Sequence, residues 1–122
     1  MVRATIKFLD NSLVVDLPCH PADLQDHLGS IGVLMAPGQI GLDNKRMVQV
    51  HIRADDETGE KLIALVSPVD TLAKLNKVCN ATYRLDYRHE MTINEGLKNG
   101  RIKSLDDVLN KIEKLKKQQF IR

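Results

Sequence analysis

The stretch "VDLPCHPADLQDHLGSIG", residues 15 to 32, decides how the chain is read. It sets Cys19 beside His20 and places His27 seven residues further on. Such a corner is either a reactive or metal-binding site, or the place where a strand stops and a helix starts. Local chemistry supports the second. Pro18 ends an extended segment, because proline has no N–H to give to a ladder. Pro21 suits the first turn of a helix, where that N–H has no intrahelical partner anyway. Asp23 complements the positive end of the helix, and Gly29 is placed to stop it. Leu24, Leu28 and Ile31 supply an apolar side.

The metal alternative fails on spacing. Zinc needs about four ligands in tetrahedral convergence. His20 and His27, if both helical, stand about 10 Å apart along the axis. Cys79, His51 and His89 would have to arrive from distant elements. A Cys19–His20 nucleophilic pair meets a similar objection, since neighbours at a strand end point apart. No catalytic, cofactor or metal residues are therefore expected.

Upstream, Arg3 to Leu9 and Leu13 to Leu17 are β-favouring runs joined by Asp10-Asn11-Ser12, which predicts a hairpin. Downstream, residues 32 to 46, "GVLMAPGQIGLDNKR", show no sustained period and predict a long loop of the kind that is functional or mobile. Its glycines before Lys45-Arg46 match neither dinucleotide nor Walker spacing. Met47 to Arg53 alternates as a strand, and "KLIALVS" (61 to 67) reads as a buried partner strand across the acidic turn "DDETGE". Ser67-Pro68-Val69-Asp70 predicts the start of a helix that runs to residue 82. Thr92-Ile93-Asn94-Glu95 opens a short helix closed by Gly100, and Ser104 opens the last one. Leu105, Val108, Leu109, Ile112 and Leu115 mark its buried stripe.

Composition narrows the function classes. With no Trp, and only Phe8, Phe120, Tyr83 and Tyr87 as aromatics, the chain has no base-stacking platform. No apolar run reaches the roughly 18 residues that span a bilayer, so no membrane association is expected. Two well-separated cysteines and no signal-like start predict a cytoplasmic setting. The net charge of +2 is uneven: residues 98 to 122 carry eight basic and three acidic side chains, and the first 97 residues sum to −3. Lys111, Lys114, Lys116, Lys117 and Arg122 are candidate phosphate contacts. They equally suit a solvated helix face whose cations complement the dipole. Asp106, Asp107 and Glu113 dilute the patch.

"LPCHPADLQDHLGSIGV", with "LAKLNKVCNATYRL" later, resembles the amino-terminal part of the ArdA-type antirestriction proteins. The shared order is an extended segment ending Leu17-Pro18, a proline-led helix ending Ile31-Gly32, and a later helix from Leu72 to Asn76. The resemblance covers residues 13 to 85. It implies an α+β module that binds another protein, a restriction–modification enzyme, by presenting the charge and shape of DNA. Asp10, Asp16, Asp23, Asp26, Asp55, Asp56 and Glu57 are the candidates for such an acidic face.

The expectation is one α+β domain over residues 1 to 122. A small, mainly antiparallel sheet from two hairpins packs on helices in residues 1 to 85, and residues 86 to 122 add a helical pair. The expected function is non-catalytic: a protein–protein interaction module of a mobile genetic element, contacting its partner through the 32 to 46 loop and the 55 to 60 turn. The alternative is a small nucleic-acid-associated regulator using the basic last helix.

Overall fold

Strands β1 (Val2–Phe8) and β2 (Asn11–Leu17) form the expected hairpin in a computed structural model that describes residues 1–44 and 47–120, with side chains of the last helix to residue 117. Phe8 pairs with Asn11, so the connection is Leu9-Asp10, one residue earlier than expected, with Leu9 at φ 54°. The apolar pattern requires this register. Val2, Ala4 and Ile6 then stand opposite Leu17, Val15 and Leu13, all on the inner face. A slip of one residue would turn every one of them to water.

β3 (Gln49–Ala54) adds antiparallel to the other edge of β1, giving the order β2-β1-β3. The sheet is small and antiparallel and the fold is α+β, as expected. The second hairpin, however, does not form. After β3 comes a helix, α2 (Glu57–Ala64), where a partner strand was expected. A short apolar run does not distinguish strand from helix. Here the residues ahead of it decide, because Asp56 accepts the Gly59 N–H at 2.7 Å and caps the helix. Glu57 and Glu60 in the first turn favour its positive end. The "DDETGE" turn is thus a helix start.

Helix α1 (Pro21–Ser30) follows the cis Leu17–Pro18 peptide and ends later than Gly29. Gly32, at φ 87°, makes the stop: its N–H reaches the Gly29 carbonyl and the Val33 N–H reaches that of Leu28, both at 3.0 Å. That pair of bonds is a Schellman ending, which needs a left-handed residue where glycine costs least. The loop beyond holds one 3-10 turn, Pro37–Gln39, and then ties down. Leu72 N–H donates to the Ile40 carbonyl at 2.9 Å, and Leu42 N–H to that of Asp70 at 3.1 Å. Lys45 and Arg46 lie outside the described residues.

These loop bonds displace the next helix start. α3 (Leu72–Tyr83) is capped by Thr71, not Ser67, because Thr71 is extended and bridges Gly41 of the loop while the Asp70 carbonyl accepts from Leu42. Asp70 instead accepts the Ser67 N–H at 2.8 Å. α4 (Tyr87–Lys98) begins five residues before Thr92, since Asp86 caps it through the His89 N–H at 2.9 Å. Gly100, at φ 73°, closes it as expected. α5 (Leu105–Phe120) starts at Ser104, whose hydroxyl accepts the Asp107 N–H at 3.1 Å. Leu105, Val108, Ile112 and Leu115 are buried and Leu109 half-buried. The stripe packs on α3, so one buried cluster runs from the sheet through to α5.

Asp56 joins three elements. Its Oδ1 accepts the Gly59 N–H and the Tyr83 hydroxyl, each at 2.7 Å, and its Oδ2 meets the Met1 amino group. Burial alone opposes the charge, but these three donors outweigh it and hold the carboxyl below its ordinary range. Gly59 has no room for a side chain: a Cβ there would stand 2.7 Å from the Ala54 Cβ and 2.9 Å from the Tyr83 hydroxyl.

Gly59→Ala should therefore destabilise the protein by about 1–3 kcal/mol, although helix propensity alone favours alanine by about 1 kcal/mol. Denaturant midpoints will show the sign. Because the folded Asp56 carboxyl is depressed, its stabilisation is complete above the unfolded-state pKa and is lost as pH falls through the folded value. Asp56→Asn keeps a cap and an acceptor but cannot titrate. It should flatten the loss of thermal stability below about pH 4.

Candidate functional site

The proline corner lies on a groove of about 1030 Å³. One wall is the segment from Pro18 to Ala22 with Gln25 of α1. The other is a face of α3 carrying Ala73, Asn76, Lys77, Asn80 and Arg84, and Pro37-Gly38 of the loop closes one side. The two walls are fastened by one side chain. Cys19 N–H donates to Asn76 Oδ1, and Asn76 Nδ2–H donates to the Cys19 carbonyl, each at 2.9 Å. The amide of Asn76 thus pairs with a backbone as a neighbouring strand would.

His20 is the cap of α1: its Nδ1 accepts the Ala22 N–H at 3.1 Å. An accepting Nδ1 leaves the proton on Nε2. The Cys19 thiol is pushed up by burial and, next, by the charge of Asp23. Burial pushes Cys79, which is fully enclosed, up to about 12. Both thiols are protonated at neutral pH and neither is activated for attack. Tyr83 is raised as well, first by burial and then by donating to Asp56. Among the described residues no three His, Cys, Asp or Glu side chains converge to hold an ion.

A second surface lies at the hairpin end of the sheet. Leu34 is 93% exposed, Leu9 71% and Met47 69%. Leu34 and Met47, with half-buried Phe8 and Met35, border a hollow of about 540 Å³. Residues 32 to 35 show no periodicity, so nothing in the sequence signals that these side chains share a patch.

The third surface is the outer face of the sheet, which no helix covers among the described residues. Arg3, Thr5 and Lys7 of β1 lie between Ser12, Val14 and Asp16 on one side and Gln49, His51 and Arg53 on the other. All are exposed except Thr5, which is intermediate. Arg3 stands opposite Arg53, a like-charge pairing that weakens a sheet, and is neutralised by Asp16 at 2.9 Å.

The candidate acidic residues are distributed. Asp55 and Asp56 come together on the Met1 amino group. Asp16 pairs with Arg3 on the basic sheet face, and Glu57 with Lys61 at 3.1 Å. Asp10 sits on the hairpin turn, and Asp23 and Asp26 on the exposed side of α1. Of the basic candidates, Lys111 and Lys114 line a polar hollow of about 390 Å³ between α4 and α5, beside Arg101 but also Glu95 and Asp107. Lys116 and Lys117 are exposed, and Arg122 lies outside the described residues. Among the described residues no helix is long and apolar enough to cross a membrane. Comparison with models of known families, with curated proteins and with solved structures finds no match.

Asn76→Ala should cost about 2 kcal/mol, because it strands a half-buried N–H and carbonyl at Cys19. Asn80→Ala, exposed on the same helix, should change stability by less than about 0.5 kcal/mol. Urea unfolding of the two variants tests the difference.

Proposed function

We propose that this chain is a non-catalytic interaction module that binds another protein through the apolar end of its sheet. The carrying observation is the exposure of Leu9, Leu34 and Met47 beside the hollow at Phe8. Holding such side chains in water forgoes roughly 1.5–3 kcal/mol each. A contiguous exposed patch is the usual mark of a protein contact, and methionine adapts to the shape of what it meets. Lys7, at the same end of the outer sheet face, and Arg53 further along it supply a basic rim. The complementary partner surface is an apolar projection bordered by carboxylates.

An antirestriction-like role in a mobile element, with a restriction–modification enzyme as partner, is the form of this reading that the resemblance of residues 13 to 85 supports. We favour apolar contact over charge mimicry, because Asp16, Asp55, Asp56 and Glu57 are each engaged with a cation. A regulator that holds nucleic acid through Lys111 and Lys114 is the competing reading, supported by their place beside Arg101 in one hollow.

A photo-crosslinking residue at position 34, used in the cells that make the protein, should give a discrete adduct with one other protein. Leu9→Asp with Met47→Asp should abolish it, and Lys114→Gln with Lys116→Gln should leave it intact. The same adduct from position 69, which is 83% exposed elsewhere, would show non-specific capture and defeat the proposal. Duplex DNA provides the other arm. Tight binding with a log–log salt slope near −0.9 per phosphate contact, lost in Lys111→Gln with Lys114→Gln, would favour the regulator.

A further inference from the structure

We propose that the groove between the proline corner and α3 is a binding site for a small organic anion, a carboxylate or a phosphate ester carried on an apolar or aromatic body. This is independent of the protein contact, which uses the hairpin end of the sheet. The groove's volume, about 1030 Å³, is ample for a ligand of drug or cofactor size. Its walls divide the labour that such a ligand requires. Pro18, Pro21 and Pro37, with Ala73, offer apolar surface that loses little freedom when covered.

The polar wall is cationic. Lys77 and Arg84 line it, and among the described residues no carboxylate does. Some cations of this chain are ion-paired: Arg3 with Asp16, Lys61 with Glu57, and Lys74 with both Asp70 and Asp106. Lys77 and Arg84 make no ion pair among the described residues, and the neutral amide of Asn80 lies between them in sequence. Lys77 and Asn80, at i and i+3, share a face of α3, and Arg84 at i+7 is the residue that caps the end of that helix. Lysine and arginine side chains are long enough to meet an anion beside the Asn80 amide from either side. A guanidinium and an ammonium acting together suit a carboxylate or phosphate better than a neutral group. His20 adds a donor at the rim, because its Nδ1 is occupied by the Ala22 N–H and its proton sits on Nε2. The groove is also held open. Asn76 fixes its two walls to each other through the Cys19 backbone, so little has to be ordered when a ligand enters.

The test is an amide-resolved NMR titration of the full chain with phenyl phosphate, benzoate, benzyl alcohol and inorganic phosphate. Phenyl phosphate or benzoate should shift the signals of Gly38, Ala73 and Asn80 saturably, and the tighter of the two identifies the anion that the site prefers. Benzyl alcohol and inorganic phosphate should each bind about ten-fold more weakly or worse, since each lacks one half of the recognition. Lys77→Gln with Arg84→Gln should weaken the better anion by about ten-fold with an unchanged melting temperature. Equal binding of benzyl alcohol, equal binding of inorganic phosphate, or no saturable shift with either aryl anion would overturn the proposal. So would shifts centred on Lys111 and Lys114 rather than on the groove.

Discussion

The pairing of the Asn76 side chain with the backbone of Cys19 is the constraint on which the arrangement turns. Pro18 leaves the end of β2 without a donor, and His20 is already committed to capping α1. Cys19 between them has a backbone N–H and carbonyl that neither strand nor helix can satisfy. Asn76 supplies both missing partners from α3, 57 residues away. A buried amide that meets both groups locks one relative position of the strand end, the helix start and α3, because any slide would strand polar atoms out of water. The groove beside it inherits that rigidity.

Asp56 does the same work just beyond the end of β3. One carboxylate oxygen starts α2 and holds the Tyr83 hydroxyl, so the helix start and the end of α3 are fixed to the same point. Gly59 is what allows the approach, since a methyl group would collide with Ala54. Hydrophobic burial supplies most of the stability but is not directional. Asn76 and Asp56 are the directional elements that select one packing of the same apolar side chains.

The surfaces follow from this packing. Helices cover one face of the sheet, so the outer face, the hairpin end and the cleft along α3 are left for contact. Their chemistries differ: basic and flat, apolar and irregular, concave with unpaired cations. None presents an activated nucleophile, since both thiols are held protonated by burial.

Much was legible in the linear chain because it depends on neighbours in sequence. The alternation of β1 and β2, the proline corner, the Ser104 cap, the stripe of α5 and the Gly100 stop all rest on local geometry and local periodicity. The errors share a different cause. The run at 61 to 67 is apolar enough for either a strand or a helix, and the Asp56 cap decided it. The Ser67 start signal is sound locally, yet Asp70 and Thr71 are drawn into a bridge with the loop at Ile40 to Leu42. The groove and the apolar end were invisible, because they are made from segments up to about 65 residues apart that have no common pattern. By itself, then, the sequence determined the α+β class and the faces of its first strands. Which helices start where, which cations remain unpaired and which apolar side chains stay in water were decided by tertiary contacts. A hydrogen-bond partner distant in sequence outweighs a local signal worth only about 1 kcal/mol.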